Sequence, residues 1–220
     1  MAQSRDRTSR TRLWWGLGLL AAGIAVGAVV LLPGADPTSL DLWWDGILSA
    51  TPDGPALAVS LFMDMVGGGR FATLWVPLIL IGVLLAMRRP WGAGYLVVAL
   101  LASAGVVQIL KHLLGRARPE DILVTSDVGS FPSGHVANAA TLTIALWLIF
   151  PRRWVGVIAA GWIVLMAFAR TYVSAHWLTD TAGGALIGSG MALLIGVVFA
   201  RGLAAEERAR RVAGRARARR

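Results

Sequence analysis

The sequence contains no cysteine and few charged residues, and both scarcities limit what the protein can be. Without cysteine, disulfide bonds, thiol nucleophiles and thiolate metal sites are excluded. Only 15% of the 220 residues are charged, whereas 56% are hydrophobic. This composition is too apolar for a water-soluble domain of this size. The sequence therefore predicts an integral membrane protein.

The hydrophobic residues form long runs with very few charges. Residues 13–32 form the first, which is long enough to cross a hydrocarbon core of about 30 Å at about 1.5 Å per residue. No small-residue cleavage site follows it, so we expect a retained span rather than a signal peptide. Further spans are predicted at 71–87, 93–115, 134–150, 154–172 and 179–200. The predicted fold class is all-α, a polytopic membrane protein with six transmembrane helices in a bundle.

Basic residues are distributed unevenly along the chain. If the N-terminus is cytoplasmic, 16 of the 21 Lys and Arg residues fall on the cytoplasmic side, as the positive-inside rule requires. This predicts a basic cytoplasmic N-terminus at 1–12, a membrane domain at 13–200 and an arginine-rich cytoplasmic tail at 201–220, in a cell membrane. We expect the tail to lie on anionic lipids. Basic ends alone are weak evidence for nucleic-acid binding, which we do not expect.

The segment LDLWWDGILSA, between the first two spans, has a helical hydrophobic period. Its apolar stripe consists of Leu40, Trp43, Trp44, Ile47 and Leu48. Asp41 and Asp45 lie on the other face. The pattern predicts an amphipathic helix at the membrane interface, whose role stays open between a packing collar and a lid over a lipid entrance.

Unusual polar residues converge on one side of the membrane in this topology. They lie at the outer ends of spans three to six, and ionisable groups there are candidates for a functional site. Three of them, Lys111, Arg118 and Arg170, are fixed cations, which favour a multiply charged oxyanion such as phosphate. Each residue alone is more often structural, but together they favour one site. Arg116 stays open between gripping phosphate and facing lipid.

The remaining polar residues indicate how such a site could work. Ser133 and Gly134 follow a proline at a predicted helix start, where free backbone N–H groups can bind phosphate. His176 and Asp180 are four residues apart and are predicted to share a helical face. The carboxylate can hold one imidazole nitrogen protonated while the other attacks phosphorus. His135, on another span, is then available as the general acid.

Three segments, KHLLGRARP (111–119), PSGH (132–135) and RTYVSAHWLTD (170–180), closely resemble the signature motifs of the type 2 phosphatidic acid phosphatase superfamily. Their order and spacings match, and the resemblance covers roughly residues 55–200. One departure is Ala169, where the third motif often has serine, so a supporting hydrogen bond is in doubt. The resemblance implies a helical, metal-free and cofactor-free site that hydrolyses lipid phosphates or pyrophosphates through a phosphohistidine.

The resemblance also implies a role for each matching residue. It assigns phosphate binding to Lys111, Arg118, Ser133, Gly134 and Arg170. By the same resemblance, His135 would be the general acid, His176 the nucleophile, and Asp180 the residue that orients His176. The expected substrate is a membrane lipid such as phosphatidic acid, phosphatidylglycerophosphate or undecaprenyl pyrophosphate, cleaved at the extracytoplasmic face.

Three alternatives stay open. They are phosphoryl transfer to an acceptor other than water, a non-catalytic transporter of anionic lipid, and a metal site formed by His112, His135 and His176. The nearby cations disfavour the metal site. Nothing in the sequence predicts an oligomeric state.

Overall fold

The computed structural model describes residues 2–31, 37–48, 53–69 and 71–217, and every regular element in these ranges is helical. The helices are α1 (Ala2–Leu31), α2 (Ser39–Leu48), α3 (Gly54–Gly67), α4 (Val76–Ala86), α5 (Pro90–Leu114), α6 (Gly134–Ile149), α7 (Arg153–Tyr172), α8 (Leu178–Val198) and α9 (Ala200–Arg217); a π-helical turn, Phe71–Trp75, precedes α4. The predicted all-α class is confirmed.

The number of candidate membrane spans is lower than the predicted six. Within the described residues, α1, α5, α7 and α8 are each long and apolar enough to cross a membrane. Helix α3 and the helix at Phe71–Ala86 meet at 49° and would together form a fifth span. Helix α6 has only 16 residues, about 24 Å at 1.5 Å per residue, which is short of a full crossing.

Helix α3 was not predicted from the sequence. It begins at Gly54 with Pro55 in its first turn, where the missing N–H of proline has no helical partner to lose. Its last turn contains Asp64 and ends at Gly67, and Gly68 is the residue that follows the helix. This helix therefore delivers an acidic residue to the end of the bundle where α6 begins.

Helix α8 packs closely against α6 through two glycines spaced four residues apart. A Cβ atom on Gly184 would lie 2.5 Å from the carbonyl oxygen of Ser133, and one on Gly188 would overlap the carbonyl of Ala137. Membrane helices commonly use this small-residue spacing to bring their backbones together. The contact places the start of α6 beside the start of α8, and with it two of the predicted motifs.

The predicted amphipathic helix is present as α2, but its acidic face is turned toward the protein. Asp41 is fully buried, whereas Leu40, Trp43 and Ile47 are each more than half exposed. Trp44 of the same apolar stripe donates a hydrogen bond to the Thr171 hydroxyl of α7 at 3.0 Å, so only part of the stripe faces away from the bundle. Its exposed tryptophan and aliphatic side chains are suited to contact with lipid.

The predicted tail begins as helix α9 and is anchored at the opposite end of the bundle. Glu206 accepts hydrogen bonds from the backbone N–H groups of Trp91 (2.5 Å) and Gly92 (3.3 Å) at the start of α5. Arg89 pairs with Glu207 at 3.1 Å. The first turns of this segment therefore belong to the folded domain, and residues 218–220 lie outside the described ranges.

Candidate active site

A cavity of about 320 Å³ opens where α5 ends and α6 and α8 begin. Five of the eight predicted site residues line it: Arg118, Gly134, His135, Arg170 and His176. The other three, Lys111, Ser133 and Asp180, are buried directly behind its wall. All eight lie at the same end of the bundle, although they come from four segments of the chain.

His176 lies in the turn before α8, so the expectation that it shares a helix with Asp180 was wrong. The two side chains are nevertheless close, with His176 Nδ1 3.7 Å from Asp180 Oδ2. Asp180 is the third residue of α8 and folds back to accept the backbone N–H of Trp177 at 2.9 Å, as in a capping box. The helix start, rather than an uninterrupted helix, brings the pair together.

Burial strongly influences the protonation of His176. The residue is 3% exposed, and burial lowers the pKa of His176 to about 3, although the Asp180 carboxylate acts in the opposite direction. Its Nε2 atom lies 3.2 Å from Nη1 of Arg118 at the cavity wall. The ring is therefore neutral at physiological pH, which is the state in which a histidine nitrogen can act as a nucleophile.

Asp180 is held by Arg116, a buried arginine whose role the sequence left open. Arg116 neither lines the cavity nor faces lipid, since its side chain is fully buried. Its Nη1 donates to Asp180 Oδ1 at 2.5 Å and its Nη2 donates to Asp41 Oδ2 at 2.7 Å. The hydroxyl of Ser130 also donates to Asp180. Asp180 is therefore fixed in place from three sides.

His135, the second residue of α6, lies against the end of α3. Its Nε2 atom is 3.3 Å from Asp64 Oδ1, and Arg170 donates to the same carboxylate. Gly68 packs so closely on the imidazole that a Cβ atom there would overlap it. Sequence reasoning missed Asp64 because it lies outside the three motifs. The available signal was a single acidic residue within an otherwise apolar segment.

Lys111 and Arg118 share a carboxylate at the cavity mouth that was also missed. Asp127 Oδ1 lies 3.1 Å from Lys111 Nζ and 2.7 Å from Arg118 Nη2. Both cations also donate to the carbonyl oxygen of Gly129, at 2.7 and 2.9 Å. Partial burial alone would raise the pKa of Asp127, but Lys111 and Arg118 hold it below its usual value. The two cations are thus already arranged around one anion.

The start of α6 offers further groups to an anion. Ser133 is fully buried, and its hydroxyl has no hydrogen-bond partner among the described residues. Its backbone N–H donates to the carbonyl of Asp180 at 3.0 Å. Gly134 begins the helix beside the cavity, and the first N–H groups of a helix have no partners within it. These donors suit a phosphate oxygen.

The described residues do not support the alternative metal site. They contain no group of three or more His, Asp or Glu side chains that could hold a metal ion. His112 is exposed, and its Nδ1 atom lies 2.8 Å from the carbonyl oxygen of Gln108. The ligand set proposed for this alternative is therefore not assembled.

The three motifs lie within a segment that matches a known family. The family model described as the PAP2 superfamily matches residues 92–202, which is half of the chain. The chain belongs to the PAP2 superfamily. This confirms the resemblance seen in the sequence, and it places α1, α2, α3 and Asp64 outside the matched segment of this PAP2 protein.

Several relatives of this PAP2 protein are named as lipid phosphatases. Lipid A 1-phosphatase of Rhizobium johnstonii is 32% identical over 130 residues, covering 53% of this chain and 51% of that protein. Undecaprenyl-diphosphatase of Sulfolobus acidocaldarius is 26% identical over 129 residues, covering 55% and 61%. Phosphatidylglycerophosphatase B of Bacillus subtilis is 32% identical over 111 residues, covering 46% and 55%. The chain thus spans about half the length of the relatives it matches.

Solved structures share the fold. The transmembrane PAP2-type phosphatidylglycerolphosphate phosphatase of Bacillus subtilis superposes with a TM-score of 0.69 at 22% identity, covering 83% of this chain and 94% of that one. The LpxE protein of Aquifex aeolicus superposes with a TM-score of 0.62 at 24% identity, covering 72% and 95%. The PAP2 helical fold therefore extends beyond the matched segment.

Proposed function

We propose that this protein is a membrane lipid phosphatase that releases phosphate from a lipid phosphate or pyrophosphate through a phosphohistidine at His176. The observation that carries the proposal is a buried histidine, paired with Asp180, at the wall of a cavity that also contains Arg118, Arg170 and His135. The lipid phosphatase names of its relatives support the same reaction class.

Phosphate binding follows from the charges around the cavity. Lys111, Arg118 and Arg170 provide three cations, two of which are guanidinium groups that can grip phosphate oxygens in pairs. The free hydroxyl of Ser133 and the first N–H groups of α6 add uncharged donors. The carboxylates of Asp64 and Asp127 pair with these cations. An entering phosphate would share or replace those carboxylates.

The reaction divides into two displacements. His176 Nε2 attacks phosphorus, the bond to the lipid oxygen breaks, and His135 transfers a proton to that oxygen as it leaves. Asp180 stabilises the positive charge that develops on the His176 ring. Water then attacks the phosphohistidine, His135 takes its proton, and the bond between phosphorus and nitrogen breaks to release inorganic phosphate. Asp64 Oδ1 lies 3.3 Å from His135 Nε2, close enough to help hold the imidazole in place during both steps.

The proposed topology retains six spans and places the cavity outside the cytoplasm. The bent pair of α3 with the helix at Phe71–Ala86 supplies the second span, and α6 supplies a short fourth span surrounded by α5, α7 and α8. The cavity lies at one end of the bundle, and Arg89, Arg152 and Arg153 lie at the other. The positive-inside rule assigns the arginine-rich end to the cytoplasm.

The expected substrates remain phosphatidic acid, phosphatidylglycerophosphate and undecaprenyl pyrophosphate. The cavity has room for a head group, and its wall includes Leu100 and Val107 of α5 together with Thr73 of the π-helical turn. Leu74 and Leu101, which adjoin Thr73 and Leu100 in the chain, are exposed apolar side chains. A lipid tail would therefore remain in the bilayer while the phosphate enters sideways.

The decisive experiment is phosphate release from a panel of these lipids by the purified protein in detergent. We expect inorganic phosphate without any added acceptor, in the presence of EDTA, and none from a His176→Ala variant. His112→Ala, which alters a histidine outside the cavity, is the matched control and should retain activity. Release that requires an acceptor alcohol would favour a phosphotransferase, and lipid transport that survives His176→Ala would favour a transporter.

A further inference from the structure

A second carboxylate, from outside the matched family segment, lies behind Asp180. Asp41 of α2 and Asp180 of α8 flank the guanidinium of Arg116, at 2.7 and 2.5 Å. All three side chains are fully buried. Because Asp180 in turn faces His176, Asp41 is connected to the proposed nucleophile by two ion pairs and one carboxylate–histidine contact.

Asp41 is also fixed directly to the start of α8. Its carboxylate accepts the backbone N–H of Thr179 at 2.9 Å and the Thr179 hydroxyl at 2.9 Å. The backbone N–H and the hydroxyl of Thr38 donate to it from the other side, at 3.0 and 2.9 Å. With Arg116, five donors therefore converge on this carboxylate. A residue held so closely transmits little motion, so it can serve as a rigid support for its neighbours.

The balance of charges explains why two carboxylates surround one arginine. If Arg116 paired with Asp180 alone, the guanidinium would neutralise the carboxylate that must stabilise a cationic His176 ring. With Asp41 sharing the guanidinium, the three buried groups carry a net charge of about −1, by simple summation of unit charges. A net negative charge next to His176 favours the imidazolium form.

We propose that Asp41 is a positioning residue of the active site, which acts through Arg116 to orient Asp180 and to keep its negative charge available to His176. The proposal rests on the proposed function, because it concerns the same nucleophile. It assigns a role in the reaction to α2, a helix outside the segment that matches the family.

The test compares Asp41→Asn with Asp45→Asn, an acidic residue on the same helix that makes none of these contacts. We expect Asp41→Asn to lower kcat about 10- to 100-fold, which is the usual effect of losing one charged hydrogen bond in a transition state. KM should change less than about threefold, because no phosphate-binding group is altered. Asp45→Asn should behave like the wild type.

A double-mutant cycle separates positioning from a general loss of structure. If Asp41 acts through Asp180, adding Asp41→Asn to an Asp180→Asn variant should cause no further loss of kcat. If the kcat losses of the two single variants multiply in the double variant, the proposal is overturned. Asp41→Glu keeps the charge and disturbs the packing, so it should retain more activity than Asp41→Asn. The proposal would also be overturned if kcat falls in proportion to the thermal midpoint in both Asp41→Glu and Asp41→Asn.

The outcomes for the two proposals remain distinguishable. Phosphate release by the wild type, with Asp41→Asn indistinguishable from Asp45→Asn, would overturn the role of Asp41 and leave the lipid phosphatase intact. Absence of phosphate release from every lipid by both the wild type and Asp45→Asn would overturn both proposals.

Discussion

The contact between Gly68 and His135 gives the sharpest prediction about the proposed general acid. Gly68 has φ −130° and ψ −173°, a conformation that alanine adopts without strain. The added Cβ would nevertheless overlap the imidazole, far inside the roughly 3.5 Å at which carbon and nitrogen normally touch. The ring must therefore move by more than about 1 Å, and a displacement of that size can reduce turnover about 100-fold.

The assay compares a lipid phosphate with p-nitrophenyl phosphate. The lipid alkoxide needs a proton as it leaves, whereas p-nitrophenolate needs little help. Gly68→Ala should therefore lower kcat about 100-fold for the lipid and less than about tenfold for p-nitrophenyl phosphate. Gly105→Ala is the matched control, because a Cβ atom there meets nothing within 4 Å. Equal losses for both substrates, or no loss for the lipid, would refute the role given to His135.

Three further predictions concern His176 and the topology. His176→Ala should abolish the acid-labile phosphoenzyme that is trapped at high pH with radiolabelled substrate, and label on another residue would contradict the mechanism. Asp180→Asn should lower kcat about 10²–10⁴-fold with a smaller change in KM. His176 is protonated near pH 6.5 in the unfolded chain but only near pH 3 in the folded protein. Acidification from pH 7 to 4.5 should therefore destabilise the wild type more than His176→Ala, by about 2–3 kcal/mol, as measured by thermal unfolding. In intact cells, an impermeant thiol reagent should label Val128→Cys and leave Arg153→Cys unlabelled; the reverse pattern would invert the topology.

Short-range patterns were sufficient to identify most of the candidate site. The fixed spacings in 111–119, 132–135 and 170–180 identify residues at helix ends, where side chains and free backbone groups can face a common cavity. Asp180 is an example, since its place as the third residue of α8 directs it back to the turn that contains His176. The long apolar runs also predicted an all-helical membrane protein, because only helices or closed barrels can satisfy backbone groups in lipid.

Other features depend on contacts between distant parts of the chain. Asp64 reaches Arg170 across 106 positions, and Asp41 reaches Arg116 across 75, so no local motif could show either carboxylate. The helical period of α2 correctly grouped its residues by face but did not show which face meets the protein. Lipid is as apolar as leucine, so apolar side chains gain little by facing the protein rather than the bilayer. The buried ion pair between Arg116 and Asp41 instead determines which face of α2 meets the protein. The sequence by itself determined most of the helices, the three motifs and the family, whereas only the tertiary structure decided which acidic residues lie behind the two histidines.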